Sequence, residues 1–265
     1  MTMPDLFMGQ ILPEVGNLQR FLNERGFKGD DGKPLKPDED FGGKTKFALV
    51  AYQVAEKLAT TGIFDVLTRN RATSEGFIPF IPARNFNRIL PGAVQRQINL
   101  IVIHDMEAPD KQDTAHNCAL FFQNQTPQGA LVNGKPFEGG SSAHYSVDAV
   151  SIYQSVRDVD VAWHAPNANH DGIGVEHAGY ARETAADWAT SYNEAMLRIS
   201  AKLVAKLCRQ YSIPVVKLSV DDLKGGKSGI CGHVDVTNAL CGGVGHQDPG
   251  ISFPYAHYLD LISQF

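Results

Sequence analysis

Ile98-Asn99-Leu100-Ile101-Val102-Ile103-His104-Asp105 is the stretch on which the fold turns. The apolar, β-branched run is too short for an ordinary helix and is closed by two polar residues, which predicts a buried strand that ends by presenting an imidazole. Strand ends are where a rigid scaffold offers side chains to a cleft. Downstream, residues 143–147, 151–156, 159–163 and 173–175 form further short apolar runs separated by turn residues, so a sheet is expected. Helical spacing covers Thr114 to Asn124 and a longer segment from Trp188 to Tyr211, whose Tyr192, Met196, Ile199, Leu203, Val204 and Leu207 form one stripe. Strands interspersed with helices predict an α/β architecture, a central, mainly β sheet flanked by helices.

Upstream the pattern changes. Val15, Leu18, Phe21 and Leu22 stand at helical spacing and Gly26 follows as a C-cap. The segment 28–43 is rich in Gly, Pro, Asp and Lys and reads as a loop, after which Phe47, Ala48, Ala51, Tyr52 and Ala55 predict a second helix over 44–57. Asp65 is positioned to N-cap a third short helix carrying Leu67. The 265 residues, at about 150 per domain, suit two modules. A small three-helix domain is therefore expected over 1–78, an ordered connector with Pro79, Pro82 and Pro91 over 79–97, and the larger domain over 98–265.

Composition narrows the function. Apolar residues make up 43% and charged residues 20%, enough for a real core and unlike a disordered chain. The formal charge of −5 argues against nucleic acid as a partner. No window reaches the roughly 18 consecutive apolar residues of a membrane helix, and the start Met1-Thr2-Met3-Pro4-Asp5 lacks the basic residues of a signal peptide. A chain made in a cytoplasm, without membrane insertion, is expected. Cys118, Cys208, Cys231 and Cys241 include no CxxC pair and read as free thiols, with a Cys231–Cys241 bridge conceivable in an oxidising place.

Several residues could carry chemistry. His104 at its strand end gains weight from Cys231-Gly232-His233-Val234-Asp235 and Gly245-His246-Gln247-Asp248. Two histidines and one carboxylate with a fourth position open form the ligand set of a catalytic zinc site. Cys241 is a conceivable soft ligand in place of Asp248. Glu176, at the end of the run Ile173-Gly174-Val175, is placed to act as a general base on a water molecule. His144 and His164, also in apolar strand contexts, could be donors to a substrate groove or satisfied core residues.

Taken in order, His104-Asp105, Ser142-Ala143-His144-Tyr145, Ala162-Trp163-His164-Ala165, Gly174-Val175-Glu176, Gly232-His233-Val234-Asp235-Val236, His246-Gln247-Asp248-Pro249-Gly250 and Phe253-Pro254 resemble the zinc-dependent N-acetylmuramoyl-L-alanine amidases that share a fold with peptidoglycan recognition proteins. The resemblance spans about residues 96–265 and implies cleavage of the amide between N-acetylmuramic acid and L-alanine. It implies His104, His233 and Asp248 as zinc ligands, with the Asp-Pro-Gly context favouring Asp248 over Cys241, and Glu176 as base. His246 falls where many relatives carry a lysine thought to stabilise the oxyanion, a departure that leaves an imidazole for the task. His144, Tyr145, Trp163 and His164 would bind substrate, and Lys135, Arg157 and Arg182 are candidates for reading a stem-peptide carboxylate.

The first module is similar to a three-helix peptidoglycan-binding domain. Leu18-Gln19, Leu22, Gly26-Phe27, Asp40-Phe41-Gly42-Gly43-Lys44-Thr45, Tyr52-Gln53 and Thr61-Gly62-Ile63-Phe64-Asp65 carry that resemblance, with a longer loop than usual at 28–39. Together the two imply a monomeric modular endolysin of bacteriophage type, acting on peptidoglycan after holin-type release from the host cytoplasm. The alternatives are a non-catalytic peptidoglycan receptor, a bacterial autolysin or recycling amidase, and a zinc peptidase cutting the stem peptide. The absence of an HExxH helix weighs against the last.

Overall fold

The computed structural model describes residues 3–90 and 92–265, so the start Met1-Thr2 and Pro91 of the connector lie outside the described residues. The chain forms two compact units that divide between Phe80 and Ile81.

The first unit holds α1 (Pro13–Glu24), α2 (Gly43–Ala55) and α3 (Val66–Ser74), the three helices the spacing predicts. Pro13 opens α1, where its missing N–H costs nothing. Asp65 caps α3 as expected, its Oδ1 accepting from the Thr68 N–H at 2.8 Å. Leu6, Val15, Leu18, Leu22, Phe41, Leu49, Tyr52 and Phe64 are fully buried between the helices. Phe21 meets Tyr52 and Phe77 edge to face, with ring centroids 5.4 and 5.9 Å apart. The long loop before α2 is tied to α1 by the side chain of Asn23. Its Oδ1 accepts from the Leu35 N–H at 2.7 Å and its Nδ2 donates to the Leu35 carbonyl at 2.8 Å.

The second unit runs β1 (Phe86–Asn87), β2 (Leu100–Asp105), α4 (Thr114–Asn124), β3 (Leu131–Val132), β4 (Lys135–Pro136), β5 (Tyr145–Val147), β6 (Ile152–Gln154), β7 (Val161–Ala162), β8 (Gly172–His177), α5 (Ala185–Trp188), α6 (Ser191–Tyr211), α7 (Val220–Lys224), β9 (Gly229–Gly232), α8 (His233–Leu240) and α9 (Tyr255–Ser263). Five strands form one sheet in the order β6-β5-β8-β2-β9. The β5/β8, β8/β2 and β2/β9 pairs are parallel, and only the β5/β6 edge is antiparallel. Buried along its length, β2 is continuously apolar from Leu100 to Ile103, as central parallel strands are, before it ends on His104 and Asp105. Leu100, Val102, Leu218, Cys231 and Val236 pack on one side. Helices α6 and α9 pack on each other, their Met196, Leu197, Val204, Tyr258, Leu261 and Ile262 buried.

Three expectations change. The run 159–163 contributes only β7, which pairs with β1 outside the main sheet, because its alternation is broken by the buried Asp160 carboxylate that binds Arg157. The long helix starts three residues later than expected, at Ser191 where the Thr190 hydroxyl caps it, and Trp188 instead closes a separate short helix, α5, capped by Thr184. Strand β9 and helices α7 to α9 were not expected; α7 and β9 are too short for a periodic signal. The four cysteines are unpaired.

Candidate metal centre

Register builds the site. In the parallel β2/β8 pair, His104 stands opposite Glu176 and Val102 opposite Gly174. Period-2 alternation then puts His104 and Glu176 on one face at the ends of adjacent strands. His233 is the first residue of α8, delivered by β9, the neighbour of β2 on its other side. Asp248 comes from the loop after α8, whose carbonyl accepts from the Val234 N–H at 2.8 Å. Among the described residues, His104, His233 and Asp248 are the group of ligating side chains that could hold a metal, all buried and with ligand atoms within 4.8 Å of one another. Asp248 Oδ2 lies 2.9 Å from His104 Nδ1 and Oδ1 lies 3.2 Å from His233 Nδ1.

The electrostatics suit a cation. Burial alone would raise the Asp248 carboxyl, yet the hydrogen bonds and charges of His104 and His233 hold it well below the usual carboxylate range. Burial pushes His104 down, against the pull of Asp248. Two imidazole nitrogens and a carboxylate converging from buried side chains form a donor set that matches a borderline divalent metal with one position left for exchange. The residues fit the group the sequence implies.

Around this centre lies a cleft lined by Glu107, Cys118, Phe121, Ser142, Trp163, His164, Asn169, Glu176 and His246 among others. Burial, followed by the nearby Asp248 carboxylate, raises the Glu176 carboxyl well above its ordinary range. His246 stands at the mouth with a side chain 74% exposed, stacked on His233 with centroids 4.6 Å apart. Cys241 takes no part: its Sγ points to the Pro166 carbonyl at 3.4 Å.

His144 and Tyr145 are not groove residues, contrary to expectation. His144 is fully buried, its Nδ1 accepting from the Gly174 N–H at 3.1 Å and its Nε2 facing the Asp160 carbonyl at 3.2 Å. The Tyr145 hydroxyl donates to Asp158 at 2.6 Å. Trp163 and His164 do line the cleft. Of the basic candidates, Arg157 is bound to Asp160, Lys135 lies on the exposed β3/β4 hairpin, and Arg182 stacks on Tyr180 at 3.8 Å beside the cleft residue Ala181. Sequence reasoning missed Cys118 and Phe121; their positions on α4 gave only a helical stripe.

A parallel sheet with a two-histidine, one-carboxylate set at its strand ends and a carboxylate alongside is the arrangement of a metal-dependent hydrolase. The chain belongs to the N-acetylmuramoyl-L-alanine amidase family, which matches residues 94–251, and a peptidoglycan binding domain matches residues 12–71. It is thus a peptidoglycan hydrolase of the amidase class with a wall-binding module. N-acetylmuramoyl-L-alanine amidase A of Achromobacter lyticus is 28% identical over 180 residues, which cover 63% of this chain and 84% of that protein. A Bacillus licheniformis protein described as "Probable N-acetylmuramoyl-L-alanine amidase" is 27% identical over 163 residues, covering 54% of this chain and 41% of its own length. Among solved structures, the Staphylococcus aureus hydrolase AmiA aligns over 76% of this chain and 90% of its own at 17% identity and a TM-score of 0.45.

Proposed function

We propose that this chain is a zinc-dependent amidase that cuts the bond between the lactyl group of N-acetylmuramic acid and L-alanine, with residues 98–265 catalytic, 79–97 a connector and 1–78 a wall anchor. The observation that carries the reading is the buried convergence of His104, His233 and Asp248 beside Glu176 at the floor of one cleft. Those three side chains would hold the zinc. When bound, the metal would supply Lewis acidity, polarising the scissile carbonyl and lowering the pKa of water toward about 7.

The rest of the work falls to the chain. Glu176 takes the proton of the attacking water and returns it to the departing L-alanine amine. His246 donates a hydrogen bond to the developing oxyanion, for which its place at the cleft mouth supports it. Trp163 offers its indole face as a wall against which the substrate lies. No covalent intermediate is required, so none of the four cysteines acts as nucleophile. The wall-binding module raises the local concentration of the catalytic unit on an insoluble polymer.

The pairing of modules supports a lysis enzyme working as a monomer, which reaches the wall from the host cytoplasm after holin-type release. No helix among the described residues is long and apolar enough to cross a membrane. Purified peptidoglycan incubated with native, EDTA-stripped and zinc-restored protein tests the chemistry. New L-alanine amino termini that depend on zinc, identified by mass spectrometry, are expected. Other peptide ends would indicate a stem peptidase, free reducing sugars would refute the reading, and sedimentation with the wall without cleavage would indicate a receptor.

A further inference from the structure

Strand β8 carries glycine at 172 and 174, on the cleft side of the sheet, where a central parallel strand would normally bury a branched side chain. At Gly174 the space is taken by the imidazole of His164. A Cβ on Gly174 would lie 2.6 Å from His164 Cγ, whereas one on Gly172 would meet the Ala168 carbonyl oxygen first, at 2.7 Å, then Val102 at 3.1 Å and His164 Cε1 at 3.3 Å. The loop that delivers His164 is clamped as well, since Asn169 Oδ1 accepts from the backbone N–H groups of His164 and Ala165 at 2.9 and 2.7 Å. So much construction around one ring is more than a groove-lining side chain needs.

The ring's two nitrogens have different neighbours. Nδ1 lies 3.0 Å from Nε2 of His104, and Nε2 faces the Gly172 carbonyl at 3.4 Å. A carbonyl can only accept, so the His164 proton belongs on Nε2 and its Nδ1 is the acceptor. The proton between the two rings then belongs to His104 Nε2. Without a metal, a proton joins His104 Nδ1 to the Asp248 carboxylate 2.9 Å away; a bound cation would take that proton's place, and the ring would keep the proton on Nε2. Arg96 Nη2 donates to the same Gly172 carbonyl at 2.8 Å and Nη1 to the Asn169 carbonyl at 2.9 Å, which fixes the far end of the chain.

We propose that His164 is a positioning residue for the metal centre: by accepting from His104 Nε2–H it fixes the tautomer and ring orientation in which His104 Nδ1 meets the metal. The inference rests on the reading of His104 as a ligand. Groups in this position commonly change metal affinity by about 10–100-fold when removed.

Zinc affinity, measured by competition with a chromophoric chelator, separates this role from simple packing. His164→Leu fills the space without an acceptor and should weaken zinc binding by about 10–100-fold. His164→Asn keeps an oxygen near the Nδ1 position and should recover most of that loss, with both metal-free variants melting close to wild type. Equal weakening by both variants, or by neither, overturns the proposal. Nitrogen-15 spectra of the histidine rings in the zinc-loaded wild type provide a second reading that needs no variant. A proton on His164 Nε2 and on His104 Nε2 is expected, and one on His164 Nδ1 overturns the chain. A wild-type protein that binds no zinc would overturn the metal reading itself, whereas tight wild-type binding with an unaffected leucine variant would overturn only the role of His164.

Discussion

Glu176→Gln tests the proposed base directly. The register places residue 176 opposite His104, and its carboxylate has no protein hydrogen-bond partner among the described residues. Gln has the same shape, so the ligands need not move, but an amide cannot take a proton. General-base contributions run at about 10²–10⁴-fold, equivalent to about 2.7–5.4 kcal/mol of barrier. A loss within that range is expected, since the other carboxylates nearest the centre are engaged or face away from the register position of Glu176 opposite His104. Asp248 is committed to His104 and His233, and the exposed Glu107 is engaged with the Ala181 N–H at 3.0 Å.

The pH profile gives an independent sign. A carboxyl raised by burial, and then by Asp248, needs a higher pH to become the carboxylate a base must be. Activity should therefore fall on the acidic side as pH drops through that raised pKa, and the Gln variant should lose this limb. The assay is release of dye-labelled fragments from peptidoglycan against pH, with zinc content measured on the same samples. A loss under about tenfold at unchanged zinc content, well below the expected range, or an acidic limb that survives the substitution, would refute the assignment.

Four further outcomes follow from packing and charge. Phe21→Ala removes a ring that meets two aromatic neighbours in the first unit and should cost about 3–5 kcal/mol there, read from its urea unfolding. Gly250→Ala puts a Cβ into the Ala181 carbonyl oxygen at a residue with φ of +81°. It should cost more than about 1 kcal/mol and weaken zinc binding through Asp248, two residues away; a variant with wild-type Tm and zinc affinity would contradict the close approach. Glu183 is raised from 4.5 to about 7, by burial first and Asp110 next. Its proton is held longer in the folded state, so the stability it lends is full below pH 4.5 and is lost as pH rises to about 7, and Tm against pH should lose that decline in Glu183→Gln. Cys118→Ser should keep full hydrolytic activity; burial holds this cleft thiol well above its ordinary pKa, so it should also alkylate slowly at neutral pH.

What the sequence made legible, and what it hid, follows from the range of each signal. Helices α1 to α3 could be read because their apolar stripes and the Asp65 cap are local. Strand β2 could be read because a central parallel strand is continuously apolar. The proposed ligands are another matter: His104, His233 and Asp248 span 144 positions between first and last, and only the β8-β2-β9 order brings the first two to neighbouring strand ends. Residue type and order suggested them, yet no spacing rule could have placed them within one sphere. The histidines show the limit most clearly. His144 and His164 sit in similar apolar runs and offered equal grounds for a groove role. One turns out to be fully buried against the Gly174 N–H and the Asp160 carbonyl, and the other lies against the imidazole of His104. The feature that distinguishes them was present in the sequence as Gly172-Ile173-Gly174, a strand with side chains missing on alternate positions of one face. Such a gap means that something else fills the face. At Gly174 the filler is the ring of His164, and the missing side chain there is what allows it to lie beside His104.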